Sequence, residues 1–169
     1  KPERIKIRAT SARVAQVETV TIATVANTSN YKVTINGIDF QFTSDADATA
    51  AEIQAGLVAA INAGTEPVTA APSGGNLVTL TSDNAGLSFV ASVGDNKLTK
   101  ATTTPHVGID NDILAAMQED KDWYALHLSV VDDVNVKMAS ATIEALRRIF
   151  EFRTNASAVK QTGNSDIVS

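Results

Sequence analysis

By residue type, the two histidines, His106 and His127, are best suited to proton transfer or metal ligation, and the chain has no cysteine. A zinc site built from them would need carboxylates to complete its ligands. They also fall in different predicted modules: His106 follows a Thr/Pro linker, and His127 lies inside a predicted strand, where alternation allows either face. Two unrelated structural or exposed histidines are the simpler reading. Carboxylates group at Asp45 and Asp47, at Glu119, Asp120 and Asp122, and at Asp132 and Asp133. Each group sits at a predicted helix terminus or in a loop. Asp47 and Asp133 stand where an N-cap is wanted, so capping is preferred to general acid–base work. Asp110-Asn111-Asp112 lacks the glycine and the closing glutamate of a calcium loop.

The glycines form neither a dinucleotide-binding pattern nor a P-loop, and no serine stands in a nucleophile elbow. Two N-x-[ST] sequons, at Asn27 and Asn155, matter only in a secreted eukaryotic protein. Trp123 and Tyr124 read as core anchors of the second module. The sequence therefore assigns no catalytic, cofactor-binding or metal-ligating residue, and the expectation is a protein that is not an enzyme and needs no cofactor.

At 169 residues and 44% hydrophobic content, the chain is long enough for a real core, as one medium domain or two small ones. No apolar run approaches the ~18 residues of a membrane span, and no signal peptide opens the sequence. The absence of cysteine fits a protein made inside the cell. The net charge of −5 argues against nucleic acid as a partner, because phosphate binding needs a basic face. That charge is uneven: residues 1–17 carry +4, residues 18–107 carry −5 and residues 108–169 carry −4. The basic lead (Lys1, Arg4, Lys6, Arg8, Arg13) is either an arm seeking an acidic neighbour or a strand with basic exposed side chains. The opening KPERIKIRATSAR reads as the middle of a longer chain.

The elements that would position any function divide into two kinds. ETVTIATV alternates as a strand does, and YKVTINGIDFQF alternates on both sides of Asn36-Gly37, which predicts a type I′ hairpin. Thr49 and Glu52 have capping-box spacing, with Asp45 and Asp47 as alternative caps. Ile53, Leu57, Ala60 and Ile61 then make one apolar stripe, which Asn62-Ala-Gly64 ends. EPVTAA, NLVTLTSD, LSFVASV and KLTKATTT continue as strands separated by turns. Residues 18–104 thus read as a β-rich, sandwich-like module with one helix.

From Thr104-Pro105 the pattern changes. Asp112–Asp120 predicts a short helix with Ile113, Leu114 and Met117 inward. DWYALHLSVV follows as a buried strand. A helix from Asp132-Asp133 presents Val136, Ala139, Ile143 and Leu146, with Arg147 and Arg148 at its C-terminal end, and RIFEFRT is a further strand. Strand, helix, strand at this spacing predicts a right-handed βαβ unit in a parallel or mixed sheet, followed from Ser165-Asp166 by a helix cut off at the C-terminus. The fold class is α+β: residues 1–17 are a leading arm or core strand, 18–104 the β-rich module, and 105–169 an α/β module.

The order VAQVETVTI, YKVTINGIDFQFTSDADATAAEIQAGLVAAIN, then NLVTLTSDNAG resembles the inserted β-rich module of contractile bacteriophage tail sheath proteins. DWYALHLSV, MASATIEALRR, IFEFRTN and SDIV resemble part of the sheath core, in the family's order. The resemblance covers nearly the whole chain, and its motifs are patterns of fold. It implies a structural subunit that polymerises with its copies in a helical lattice around a tail tube and contracts to drive the tube through the host envelope. The implied partners are other sheath subunits and the tube, with no nucleic acid and no membrane insertion, and the fragment alone is expected to be monomeric. The implied location is the virion tail, assembled in the host bacterial cytoplasm. The competing reading is a tail adhesin whose β-rich part binds a receptor or carbohydrate. That reading calls for rings exposed on loops, whereas Tyr31, Phe40, Phe42 and Phe89 fall mostly in alternating strands. A small-molecule enzyme is a third reading, which a pocket of convergent polar groups would favour.

Overall fold

Asn36 and Gly37 adopt φ of 49° and 87°, so the chain reverses in two residues. Ile35 then lies opposite Ile38 in a hairpin of β2 (Asn30–Ile35) and β3 (Ile38–Thr43), which is the type I′ geometry expected of Asn-Gly. The computed structural model describes residues 10–94, 96–123, 125–128 and 133–151, without the side chains of 133 and 134. The chain forms two units, one of residues 14–106 and one built from the segments on either side of it.

In the first unit β1 (Val17–Ile22) precedes the hairpin. Then follow α1 (Ala50–Asn62), β4 (Val68–Pro72), β5 (Leu77–Ser82), β6 (Ala91–Val93) and β7 (Leu98–Thr104). One antiparallel sheet has the order β4-β5-β1-β7 and the other β3-β2-β6. Alternation sends Val20 and Ile22, Val78 and Leu80, and Tyr31, Val33 and Ile35 into a single core. Helix α1 adds Ile53, Leu57 and Ile61 to that core and packs on β3 and β4, one edge strand of each sheet. It thereby closes one open side of a sandwich. Burying each large aliphatic contributes about 1.5–3 kcal/mol.

The helix begins where its capping box predicts. Of the three candidate caps, Thr49 is used: its hydroxyl accepts from the Glu52 amide at 3.1 Å, and Glu52 Oε2 accepts from the Thr49 amide at 3.3 Å. Its glycines serve close approach. A side chain on Gly56 would run into the Phe42 ring, and one on Gly64 into the Phe40 ring. Gly64 has no left-handed φ, so the helix ends at Asn62 without a glycine cap. Asn62 instead reaches β4, exchanging two hydrogen bonds of 2.9 and 2.8 Å with the Ala70 carbonyl and amide.

The first unit is wider than 18–104. Val14 accepts from the Gly86 amide at 3.0 Å, and Gln16 is buried, so the chain is already built into this unit before Val17.

In the second unit α2 (Ile109–Glu119) precedes β8 (Ala125–His127), α3 (Asp133–Ala145) and β9 (Ile149–Glu151). Strands β8 and β9 pair in parallel with α3 as the crossover, which is the expected strand–helix–strand unit. Val136, Ala139 and Ile143 are buried as their spacing requires. Helix α2 corrects the sequence reading. It starts three residues before Asp112, with Gly108 as N-cap, so its inward face is Ile109, Asp112 and Ile113, and Leu114 is 46% exposed. The expected extensions over 129–132 and 152–154, the final helix and the basic lead through Arg8 lie outside the described residues. The α+β class holds.

Candidate functional site

Asp112, buried on α2 of the second unit, is a heavily committed carboxylate. One carboxylate oxygen accepts from the Ser11 hydroxyl at 2.6 Å and the Ser11 amide at 3.2 Å. The other accepts from the same amide at 3.1 Å and from Arg13 Nη1 at 3.0 Å. Burial alone would raise its pKa. The Ser11 hydroxyl and amide and the Arg13 guanidinium outweigh that, and hold it below the ordinary 3.8. A carboxylate so stabilised is a poor base. It is well suited to fastening residues 11–13, the last segment before the chain leaves this unit, onto α2.

Arg148 performs the same office behind α3. Residues 146–148 close the helix with Arg147 at φ 54°, its amide bonded to Glu144 O at 3.0 Å and the Arg148 amide to Ile143 O at 3.2 Å, which is a Schellman turn. The Arg148 guanidinium then bonds the carbonyls of Trp123 and Lys121 and lies over the Trp123 ring at 5.2 Å, fixing the approach to β8.

Among the described residues of the first unit the buried charged group is Glu18. It accepts from Lys100 Nζ at 2.9 Å and from Gln16 Nε2 at 2.8 Å. Gln16 also bonds both the amide and the carbonyl of Phe89, at 3.0 and 2.9 Å, as a neighbouring strand would. These groups hydrogen-bond one another and tie the start of β1 to β7 and to Phe89.

The other sequence-singled residues are placed apart. Half-buried His106 and exposed His127 belong to different units. Asp45 and Asp120 each accept from the amide two residues on, both at 2.8 Å, as loop and helix-end residues do. Asp132 and the side chain of Asp133 lie outside the described residues. Among the described residues no three His, Asp or Glu side chains group as a metal site would require, and no helix is long and apolar enough to cross a membrane.

Sequence reasoning missed Asp112, Glu18 and Gln16 as network centres. Their partners lie up to 101 positions away, so only a local signal for Asp112 existed, its place one turn into a helix. No protein-family model matches the chain, and no curated protein matches it.

Proposed function

We propose that the chain is a structural subunit of a contractile phage tail sheath, acting through surfaces and without a reaction of its own. The observation that carries this reading is the insertion: a β-rich unit of residues 14–106 interrupts a second unit made from the chain on both sides of it. That is the organisation the sequence resemblance implies, an external module set into a lattice-forming core. The Ser11–Asp112–Arg13 contacts support it, since they fasten the segment leading into the insertion to α2 of the interrupted unit.

The aromatic residues favour this over an adhesin. Tyr31 is fully buried, with its hydroxyl bonded to the Thr24 carbonyl at 3.0 Å, and Phe40 and Phe89 are buried too, so these rings offer no stacking surface to a sugar. In this reading the subunit assembles in the host bacterium and resides in the virion tail, where its partners are its own copies and the tube.

The test is negative-stain electron microscopy of the complete open reading frame, expressed alone at high concentration. Hollow tubes with a regular helical repeat are the expected result. Compact trimers or short fibres would overturn the reading in favour of the adhesin.

A further inference from the structure

Within its strands the outer face of the four-stranded sheet carries no ionisable side chain; Asp83, one residue past β5, meets the face at a corner, where the Thr69 hydroxyl donates to it at 2.6 Å. Alternation puts Thr19, Thr21, Thr79, Thr81, Thr99 and Ala101 on this side, and the other outward positions of β1, β4, β5 and β7 are equally uncharged. The only charged residues in these four strands, Glu18 and Lys100, belong to the inner side and are paired with each other. The outer face of β2 and β3, in the same unit, has the usual charges of a solvated sheet. An antiparallel sheet with one face to water ordinarily carries such groups, so their absence from the larger sheet calls for a reason.

We propose that this face is a contact between copies of the chain, packed sheet against sheet. The occupant is chosen by charge. A chain of net charge −5 sets like charge against like in most approaches to its own copy, and a face whose strands carry no outward charge, with Asp83 only at one corner, meets less of that repulsion. The side chains suit close packing, being short and β-branched, and face-packed sheets need only about 10 Å between them. Thr19 and Thr103 already satisfy each other's hydroxyls at 2.7 Å, and the remaining threonine hydroxyls, each both donor and acceptor, must pair across the contact.

Size sets the strength. Four strands of about six residues make a face of roughly 20 by 19 Å, or ~400 Å². That is about half of the ~800 Å² per partner that a stable complex buries. The contact is therefore weak between free molecules and becomes effective only when many copies are held together. That use of it rests on the sheath reading; the contact itself does not.

The test is a concentration series of heteronuclear NMR spectra of this chain, up to about 1 mM, a range that reports contacts as weak as a millimolar Kd. The amides of Thr19, Thr21, Thr79 and Thr99 should shift with concentration, and those of Lys32, Thr34 and Asp39 should not. Thr79→Glu should weaken the association at least about tenfold by setting like charges face to face. Thr99→Glu, on exposed β7, serves the same purpose if Thr79→Glu disturbs the fold, and Thr34→Glu on the other sheet, though it breaks the bond to Asp39, should leave the association unchanged. Spectra that do not vary with concentration, shifts that map elsewhere, or association insensitive to both glutamates would overturn the contact. Helical tubes from the complete reading frame without these shifts would remove the contact and leave the sheath; these shifts without tubes would do the reverse.

Discussion

The unit of residues 14–106 covers one core with two sheets whose outer faces are unlike. On β2 and β3, Lys32 reaches Asp39 at 3.0 Å, Thr34 donates to the same carboxylate at 2.6 Å, and Asn30 bonds Gln41 at 2.8 Å. On the strands of the larger sheet threonine stands where those charges would be: Thr19 and Thr103 pair by their hydroxyls, and Thr69 donates to Asp83 at the sheet's corner. The inward halves of the strands obey the same alternation in both sheets, so the fold does not explain the difference. What differs is the environment each face is written for. Cross-strand ion pairs suit water and fix register; an uncharged face of short side chains suits another surface. The comparison is open to test, beginning with the core the two faces share.

If the sheets close on a single core, then Leu80→Ala beneath the neutral face and Ile35→Ala beneath the laced one should each destabilise by about 2–5 kcal/mol. Both residues are fully buried in one cluster. Denaturant unfolding of each variant should give one transition with the amide signals of both sheets lost together. Signals of the unmutated sheet that outlast the other would divide the unit in two.

The hairpin of the laced sheet ranks next. Gly37 has φ of 87°, a region β-branched residues resist, so Gly37→Val should cost about 2 kcal/mol. A Cβ there meets nothing within 4 Å, so any loss is backbone strain and not a clash. An unchanged melting temperature would mean that the turn does not hold this conformation in solution.

Both of those positions were legible in the sequence, for a physical reason. Asn-Gly dictates its turn locally, the Thr49–Glu52 box dictates its helix start, and alternation of Val33 and Ile35 needs no partner to be read. The failures share a cause as well. A helix begun at Asp112 puts Leu114 inward; its actual start at Ile109 leaves Leu114 outside and brings Asp112 in, where Ser11 and Arg13 meet it. Nothing near Asp112 encodes those partners. Gly56 and Gly64 mark where the Phe42 and Phe40 rings press on α1, a tertiary fact that propensity does not contain. The neutral face lies between these cases: its lack of charge is visible in the sequence, but pairing alone gathers β1, β4, β5 and β7 side by side.

Asp112 offers a smaller effect, outside both faces. Its folded pKa lies below 3.8, so it contributes stability that is complete above the ordinary aspartate range and is lost as pH falls through the depressed value. Asp112→Asn should therefore destabilise by about 1 kcal/mol at neutral pH, since an amide cannot replace the charge-assisted bonds. The gap between variant and parent should close as pH falls below that range. A gap independent of pH would assign the loss to packing and not to the carboxylate.

The smallest effect separates the two faces most directly. Hydrogen bonds from Thr34 and then Lys32 hold the Asp39 carboxyl below 3.8, against a small opposing effect of burial. By the same linkage its contribution is present above the ordinary value and fades as pH falls through the lowered one. Because the pair is exposed, screening leaves little net stability, and Asp39→Asn should hardly move the melting temperature. The titration itself is the sharper observable. Followed by NMR, Asp39 should lose its proton below the usual midpoint and carry the Thr34 and Lys32 amides with it, while Thr19, Thr21 and Thr79 stay still through the same range. An ordinary midpoint would mean that the lacing does not persist in solution. The two faces would then differ in composition alone, and the argument that one is written for water and the other for a surface would rest on the neutral face by itself.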